Sequence, residues 1–468
     1  MTEPSPEELS EPITKLSIGT DGKEKEEGVT PPPAPGSAAG EPDFSNMSMT
    51  QIRAYIQKKN DDTLRKKQLE YLEKQRKKEE KANREHKFWN TQPVVKMEGN
   101  MEAVVNKPVN PVEDVDKVRQ EPYNMPAGFV WCELDVNNET HIKELYNLLS
   151  NNYVEDDDSM FRFDYSAEFL RWALTVPEFR KEWHVGVRVE KTGKLMASIT
   201  GVPARVRVRG LDREMVEINF LCVHKKLRDK RLAPVLIKEI TRRVNLTGRW
   251  QAVYTAGVTI PTPVSKTRYY HRNLQVEKLI DVSFSYLPRG KRMEDHVKYL
   301  DLPEETANPL RAMEDKDVPA VTVLLNNYLQ ARCKLFQVFT ESEVRHLLLP
   351  RESVIESYVI EGAAGVTDFL SFYHLPSTIM KHEKYNKLTA TYSYYNVANT
   401  VSAKDLMNDA LILAKRSGAD VFNALNVMEN GEIFEALKFG QGDGELQYYV
   451  YNWECSRMDA KEVGLVLV

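Results

Sequence analysis

The sequence predicts an α+β fold built twice in tandem behind a disordered N-terminal tail. Three observations carry this. First, Phe161-Arg162-Phe163-Asp164-Tyr165-Ser166-Ala167-Glu168-Phe169-Leu170-Arg171-Trp172-Ala173-Leu174 is echoed by Phe336-Gln337-Val338-Phe339-Thr340-Glu341-Ser342-Glu343-Val344-Arg345-His346-Leu347-Leu348-Leu349. Second, each copy is followed by the same order: two strand-like runs, a central strand, a helix and one more strand. Third, Met1 to about Asp43 is rich in Pro, Gly, Ser, Glu and Thr, too polar to bury a core.

The elements follow in order. Pro31 to Gly36 holds no regular hydrogen-bonded structure. Arg53 to Lys87 carries 13 Lys/Arg against 7 Asp/Glu and has neither Gly nor Pro. It reads as a charged helix, either simply solvated or docking on ribosomal RNA or another acidic surface. After the first copy, His184–Val189 and Lys194–Ile199 alternate as strands; after the second, Ser357–Ile360 and Thr367–Tyr373 do. The central strands are Val216–Val223 and Leu388–Tyr395. Helices follow from Pro234 to Val244, and after Ser402, where Ser402 and Asp405 read as a capping box. The closing strands are Gln251–Thr255 and Asp420–Leu425. Pro303-Glu304-Glu305-Thr306 and Pro309 mark a linker. The expected division is a tail over 1–86, a first half over 87–300 and a second over 301–468, related by a pseudo-twofold axis.

Bulk properties narrow the function. The chain has 468 residues, 41% hydrophobic, with a net charge of −5, which argues against wholesale nucleic-acid binding. No apolar run approaches the ~20 residues of a membrane span, and the acidic N-terminus is unlike a signal peptide. The four cysteines, Cys132, Cys222, Cys333 and Cys455, lack metal or disulfide spacing. The expectation is a soluble, cytoplasmic, monomeric protein of a reducing compartment.

The chain is organised around Glu217–Pro234. An apolar strand ends there in a sharply basic loop with Lys225, Lys226, Arg228, Lys230 and Arg231, and a helix follows. Pro234 suits a first helical turn. Free N–H groups at a helix start, ringed by cations, suit phosphate oxygens; the competing reading is a solvated basic turn.

Glu217-Ile218-Asn219-Phe220-Leu221-Cys222-Val223-His224-Lys225 resembles one signature of the N-myristoyltransferases, and Lys438-Phe439-Gly440-Gln441-Gly442-Asp443-Gly444 resembles a second. The resemblance covers roughly Phe88 to Val468. It implies a duplicated acetyltransferase-like fold and transfer of myristate from myristoyl-CoA to the N-terminal glycine of peptides and nascent proteins. Neither a metal nor a cofactor is implied; the acyl-CoA is a co-substrate. The family's basic N-terminal tract associates with ribosomes, and residues 53–87 resemble it. A non-catalytic acyl-CoA or lipid-binding module, and an acyltransferase using another acyl group, are the competing readings.

The resemblance assigns the sites as follows. The acyl-CoA would meet Lys87, Phe88 and Trp89, the strand Phe220, Leu221, Cys222 and Val223, and the loop Arg228, Asp229, Lys230, Arg231, Leu232 and Ala233; the family usually has Ser where this chain has Asp229. From composition alone, Phe88 and Trp89 read as core packing. Burying about twelve methylenes is worth ~10 kcal/mol. Backbone N–H groups of Phe220 and Leu221 would hold the oxyanion, freed from the ladder by a bulge. The base would be the terminal carboxylate of Val468, since Val463 to Val468 is apolar to the last atom; His224 and His271 are the titratable alternatives. Peptide contacts would come from Tyr153, Asp156, Asp158, Phe161, Phe163, Thr255, Gly257, Tyr269, His271, Tyr373 and Ser377. Lys438 to Gly444 reads as a turn-rich loop whose glycines permit positive φ.

Overall fold

The computed structural model describes residues 86–96, 105–111, 114–154, 160–363 and 365–468, less the Asp229 side chain, together with Arg65, Leu69, Glu73 and Arg76, which are helical. The rest of the basic tract, and with it Asp156 and Asp158, lies outside the described residues.

The first half runs β1 (Phe129–Glu133), α1 (Glu139–Asn152), β2 (Phe161–Phe163), α2 (Ala167–Leu174), β3 (His184–Val189), β4 (Leu195–Val208), β5 (Leu211–Val223), α3 (Leu232–Asn245), β6 (Gln251–Ala256) and β7 (Ser265–Asn273). Helices α4 (Val276–Asp281) and α5 (Met293–Leu300) bridge to the second half. That half runs β8 (Leu310–Ala312), α6 (Val318–Arg332), β9 (Leu335–Gln337), α7 (Glu341–Leu348), β10 (Ile355–Gly362), β11 (Gly365–His374), a hairpin of β12 (Ser377–Ile379) and β13 (Lys387–Leu388), β14 (Ala390–Val397), α8 (Ala403–Arg416), β15 (Val421–Leu425), α9 (Asn430–Ile433) and β16 (Gly440–Tyr451). Apart from the inserted hairpin and α9, the two lists match element for element.

Local chemistry explains the repeat. Ser166 caps α2 by accepting from the Phe169 N–H, and Thr340 caps α7 in a reciprocal box with Glu343, each satisfying donors that the helix start leaves open. Ser402 caps α8, but Asp405 does not complete a box: its carboxylate accepts from the Ser402 hydroxyl instead. The second central strand begins two residues later than expected, at Ala390.

The halves exchange strands. In each, the central strand pairs in parallel with the strand after its helix: β5 with β6 over Met215–Glu217, β14 with β15 over Ala390–Tyr392. The closing strands then cross over. β16 lies against β6, β7 lies against β15, and β7 and β16 pair with each other. One continuous 14-stranded sheet results among the described residues. Likewise β2 pairs with β12, and β9 with the end of β4. Neither half completes its sheet alone.

Lys438–Gly444 is not the expected loop. Gly440 to Gly444 belong to β16, with an irregular register between Gln441 and Glu445, and none of the three glycines has positive φ. Close approach explains Gly442 instead: a Cβ there would overlap His271 Nε2 and come within 2.9 Å of the Tyr269 carbonyl oxygen.

Candidate active site

β5 and β6 are hydrogen-bonded neighbours only at Met215–Glu217, then part. A cavity of about 470 Å³ opens between them and α3, within the roughly 300–1,000 Å³ of ligand sites. Its walls are apolar: Ile199, Val216, Ile218, Ile237, Ile240, Val244 and Trp250. Phe88 and Trp89 close one side, Trp89 stacking on Tyr254 at 6.1 Å.

At the cavity's edge β5 carries the expected bulge. Ser198 pairs with Cys222 and Thr200 with Asn219, so Ile199 alone faces both Phe220 and Leu221. Phe220 takes φ of +50°, a conformation costly for a bulky residue. The Ser198 hydroxyl fastens the kink by donating to the Phe220 carbonyl at 3.0 Å, and Thr200 donates to the Asn219 carbonyl at 2.9 Å. The Phe220 ring is buried among Tyr153 and Tyr165.

The second half repeats this kink and fills it. Leu370 pairs with Asn396 and Phe372 with Ser393, leaving Ser371 opposite Tyr394 and Tyr395. Ser371 stands where Ile199 does, and its hydroxyl accepts from the Tyr395 N–H at 3.0 Å while donating to the Tyr395 carbonyl at 2.8 Å. The loop before α8 is filled too. Asp368, buried, accepts from the N–H groups of Asn399, Thr400 and Val401. Burial pushes its carboxyl up, but hydrogen bonds from Thr400, Thr367 and Asn399 outweigh this and hold it below the usual range. In the first half no side chain caps α3, and Lys225–Lys230 form a 3-10 turn ahead of it. The first half carries neither side chain: Ile199 stands at the bulge, where the Phe220 N–H meets the Tyr153 hydroxyl, and no side chain caps α3; the second half carries its own carboxylate and hydroxyl in both places.

The acyl-CoA residues divide. Phe88, Trp89, Phe220, Leu221 and Ala233 line the cavity. Lys87, Lys230 and Arg231 are exposed outside it. Val223 is half-buried off the lining, Leu232 is buried, and Cys222 points away, its Sγ against the Leu148 carbonyl. Arg228 is already engaged: it donates to the Asn152 carbonyl at 2.6 Å, tying the basic loop to the end of α1.

The peptide residues gather into an aromatic wall between the halves. Tyr373 stacks on Tyr392 at 5.2 Å, and Tyr392 meets Phe163 and Tyr269 edge-on. Phe161 and His271 both meet Phe284. Ser377 pairs with Phe163 across β12 and β2; Thr255 lines the cavity and Gly257 follows one residue after β6 ends. Burial pushes the Tyr269 phenol up to about 12. Burial also lowers His271 against the opposing hydrogen bond to Asn423, at 2.6 Å. A neutral ring with Nδ1–H donating to Asn423 leaves Nε2 an acceptor. His224, the other titratable alternative, accepts from the Lys226 N–H as the cap of the basic turn.

The chain end packs as expected of a buried terminus. Leu465, Val466 and Leu467 are buried and Val468 is partly buried against the main core. Met428 donates to the Val463 carbonyl, Tyr448 to the Leu465 carbonyl at 2.7 Å, and Val466 N–H to the Tyr395 hydroxyl at 3.1 Å. Tyr395 lies on β14 and Met428 just beyond β15, so the chain's own end sits where the second pair of parallel strands diverges.

Residues 108–267 match the profile of the myristoyl-CoA:protein N-myristoyltransferase N-terminal domain, and 281–466 that of its C-terminal domain. The chain belongs to the myristoyl-CoA:protein N-myristoyltransferase family. Its relatives include glycylpeptide N-tetradecanoyltransferase 2 of Danio rerio, 53% identical over 83% of this chain and 78% of that protein. A probable glycylpeptide N-tetradecanoyltransferase of Caenorhabditis elegans is 54% identical over 83% and 87%. Among solved structures, Saccharomyces cerevisiae N-myristoyltransferase with bound myristoyl-CoA superposes with a TM-score of 0.79 at 40% identity, covering 82% of this chain and all of that one. Among the described residues no group of three His, Cys, Asp or Glu converges on a metal position, and no helix is long and apolar enough to cross a membrane.

Three residues at or beside the cavity, Asn219, Glu217 and Ile199, escaped the sequence reading. Asn219 lines the cavity, and its Nδ2 donates to Glu217 at 2.7 Å. The signal for Glu217 and Asn219 was two polar residues on the otherwise apolar stretch Val216–Val223. Ile199 carries no polar atom, so nothing in its type marks it; its meaning lies in facing the bulge.

Proposed function

We propose that the chain transfers a tetradecanoyl group from myristoyl-CoA to the N-terminal glycine amine of a peptide, by direct attack on the thioester. The observation that carries this is the bulge at Phe220 and Leu221, beside an apolar cavity and with only a displaceable phenol hydroxyl, that of Tyr153, recorded on the Phe220 N–H, against its twin at Tyr394 and Tyr395, which the Ser371 hydroxyl caps. The names of the relatives point to the same reaction.

The acyl chain occupies the cavity, and the CoA phosphates meet the uncapped start of α3, with Lys230 and Arg231 as exposed cations beside it; Asp229 stands among them, and Lys87 lies near the Phe88–Trp89 side. The glycine nitrogen attacks the thioester carbon. Charge moves to the carbonyl oxygen, where the Phe220 and Leu221 N–H groups receive it; fixed donors of this kind are worth ~3–4 kcal/mol each. The intermediate collapses, the C–S bond breaks, and CoA leaves as the thiol, taking up the proton that the nitrogen loses as it becomes the amide. Before attack, the glycine ammonium has given its extra proton to the Val468 carboxylate. In water that transfer is uphill by ~6 kcal/mol, from an amine near 8 to a carboxyl near 3.5. A site that desolvates both groups narrows the gap by raising the one and lowering the other.

The peptide lies along Tyr153, Phe161, Phe163, Thr255, Gly257, Tyr269, His271, Tyr373 and Ser377, where His271 Nε2 accepts a serine hydroxyl downstream of the glycine. Asp156 and Asp158 would face a basic peptide residue. Residues 87–300 supply the acyl-CoA side and most of the peptide groove, and 301–468 its remaining wall, Tyr373 and Ser377, together with the base. Working as a cytoplasmic monomer, and ribosome docking through residues 53–87, rest on the sequence and the family alone. Incubation with myristoyl-CoA and a Gly-Asn-x-x-Ser peptide, followed by mass spectrometry, tests the reading: one tetradecanoyl group on the glycine nitrogen is expected. Binding of acyl-CoA without product, or preference for acetyl-CoA on a small amine, would replace it.

A further inference from the structure

Glu217 is a partly buried carboxyl that no cation balances among the described residues. It lies on β5 three residues before the bulge, and its side chain accepts from Asn219 Nδ2 at 2.7 Å. The groups that face it from neighbouring elements are phenols: Tyr394 and Tyr395 of β14 and Tyr448 of β16, with Glu343 of α7 also acting on Tyr394 and Tyr395. Two of those phenols, Tyr395 and Tyr448, are the ones that grip the chain end at Val466 and Leu465. A lone buried carboxyl is costly, and neither the sheet nor the cap of any helix uses this one.

Its geometry gives it one handle on the cavity. An ionised carboxylate only accepts hydrogen bonds. Facing one, the Asn219 carboxamide must present its NH₂, and its oxygen is then left to the other side. Asn219 lines the cavity, and its Oδ1 accepts no hydrogen bond from any described residue. An amide oxygen next to the Phe220 bulge is an acceptor placed for the N–H bonds of an incoming amine. We propose that Glu217 is a positioning residue for acyl transfer: its carboxylate locks the Asn219 carboxamide with the oxygen facing the attacking nitrogen. This rests on the amine-acylation reading above and names a device within it. Burial pushes the Glu217 carboxyl up to about 8, against the Asn219 hydrogen bond. Protonated, as most of it is at pH 7, Glu217 can donate, the carboxamide is free to turn over, and the lock is released; it engages as pH rises through about 8.

Glu217→Gln keeps the shape and removes the charge, so it tests the lock with little risk to the fold. The expected result, at pH 9 where Glu217 is ionised, is a 10- to 100-fold slower single-turnover rate with myristoyl-CoA and a glycine peptide, the scale of misplacing one group near a reacting atom. Acyl-CoA affinity should stay within twofold. Asn219→Ala should lose a similar factor, and the double variant no more than the worse single one. In protein labelled at asparagine side chains, the Asn219 NH₂ resonances should shift with pH about a midpoint near 8, and that titration should vanish in Glu217→Gln. A Glu217→Gln rate within twofold of the unsubstituted enzyme, losses that multiply in the double variant, or an Asn219 signal indifferent to pH would each overturn the proposal. A wild-type chain that fails to acylate glycine at all would instead sink the reading it rests on.

Discussion

The Ser371 hydroxyl accepts a hydrogen bond from the Tyr395 N–H at 3.0 Å, at the place where Ile199 faces Phe220 and Leu221 in the other half. One fold has been used twice, and the second half places a serine hydroxyl where the first half has the apolar side chain of Ile199. Ile199→Ser should therefore copy the capped state into the first half. We expect an acyl-transfer rate at least 10-fold slower, since losing one oxyanion donor costs about 10²–10³ and a serine cap is displaceable. Ile199→Ala removes similar apolar bulk, with a comparable stability cost of ~2–5 kcal/mol, but adds no hydroxyl. Single-turnover kinetics on both variants separate the effects: the alanine variant should keep most of its rate once saturated with acyl-CoA. Equal losses in the two would show that packing alone matters at this position.

Gly442 lies against His271, and a methyl group there has nowhere to go, with the Tyr269 carbonyl 2.9 Å away as well. Gly442→Ala should displace the imidazole or open β7 from β16, at a cost of about 1–3 kcal/mol. Because His271 faces the peptide side, the peptide KM should rise about 10-fold while acyl-CoA affinity holds. Steady-state kinetics at saturating acyl-CoA measure both; an unchanged peptide KM would detach His271 from peptide recognition.

Much of this molecule was legible before folding because its elements announce themselves locally. Ser166 and Thr340 sit in front of amphipathic helices, and the echo of 161–174 in 336–349 marks the duplication. The bulge at Phe220 was anticipated from the chemistry that the family resemblance implies. The exchange of β7 and β16 was not legible, because strand pairing between residues so far apart in the chain, such as Val421 and Asn273, leaves no local trace. The same blindness produced the error at Gly440–Gly444: three spaced glycines suggest a turn, yet Gly442 answers to a neighbour 171 positions earlier in the chain, His271. Ser371 and Asp368 look like ordinary strand residues until their partners are known. Their roles are relational, and a sequence states only the parts.

His184 gives a stability prediction. Its ring is fully buried and stacks on Phe179 at 5.8 Å, and among the described residues its nitrogens make no well-formed hydrogen bond, with only the Leu134 backbone close by. Burial holds it neutral and lowers its pKa to about 4, although the Leu134 backbone, Asp135 and Glu182 pull the other way. The unfolded chain takes up this proton near 6.5. The contribution of neutral His184 is thus complete above pH 6.5 and is lost as pH falls towards 4. That window is worth about 3 kcal/mol. Urea midpoints at pH 7.5, 5.5 and 4.5 should fall more steeply for the wild type than for His184→Phe. Parallel slopes for the two proteins would mean that the ring finds a partner on protonation.

The chain end is the remaining lever. Leu465 and Val466 are held by Tyr448 and Tyr395, and Val468 packs against the main core. A carboxylate acting as base at that depth leaves no room for more chain, because an added peptide bond removes the charge and pushes polar backbone into apolar surroundings, where each unpaired group costs ~1–3 kcal/mol. A few residues appended after Val468 should cut acyl transfer by more than 100-fold, while acyl-CoA still binds in a cavity whose lining lies wholly between Phe88 and Tyr451. Calorimetry with acyl-CoA and a peptide turnover assay on the same tagged protein give the two readings. If turnover survives the tag, the terminus is a structural plug and the proton leaves by another group.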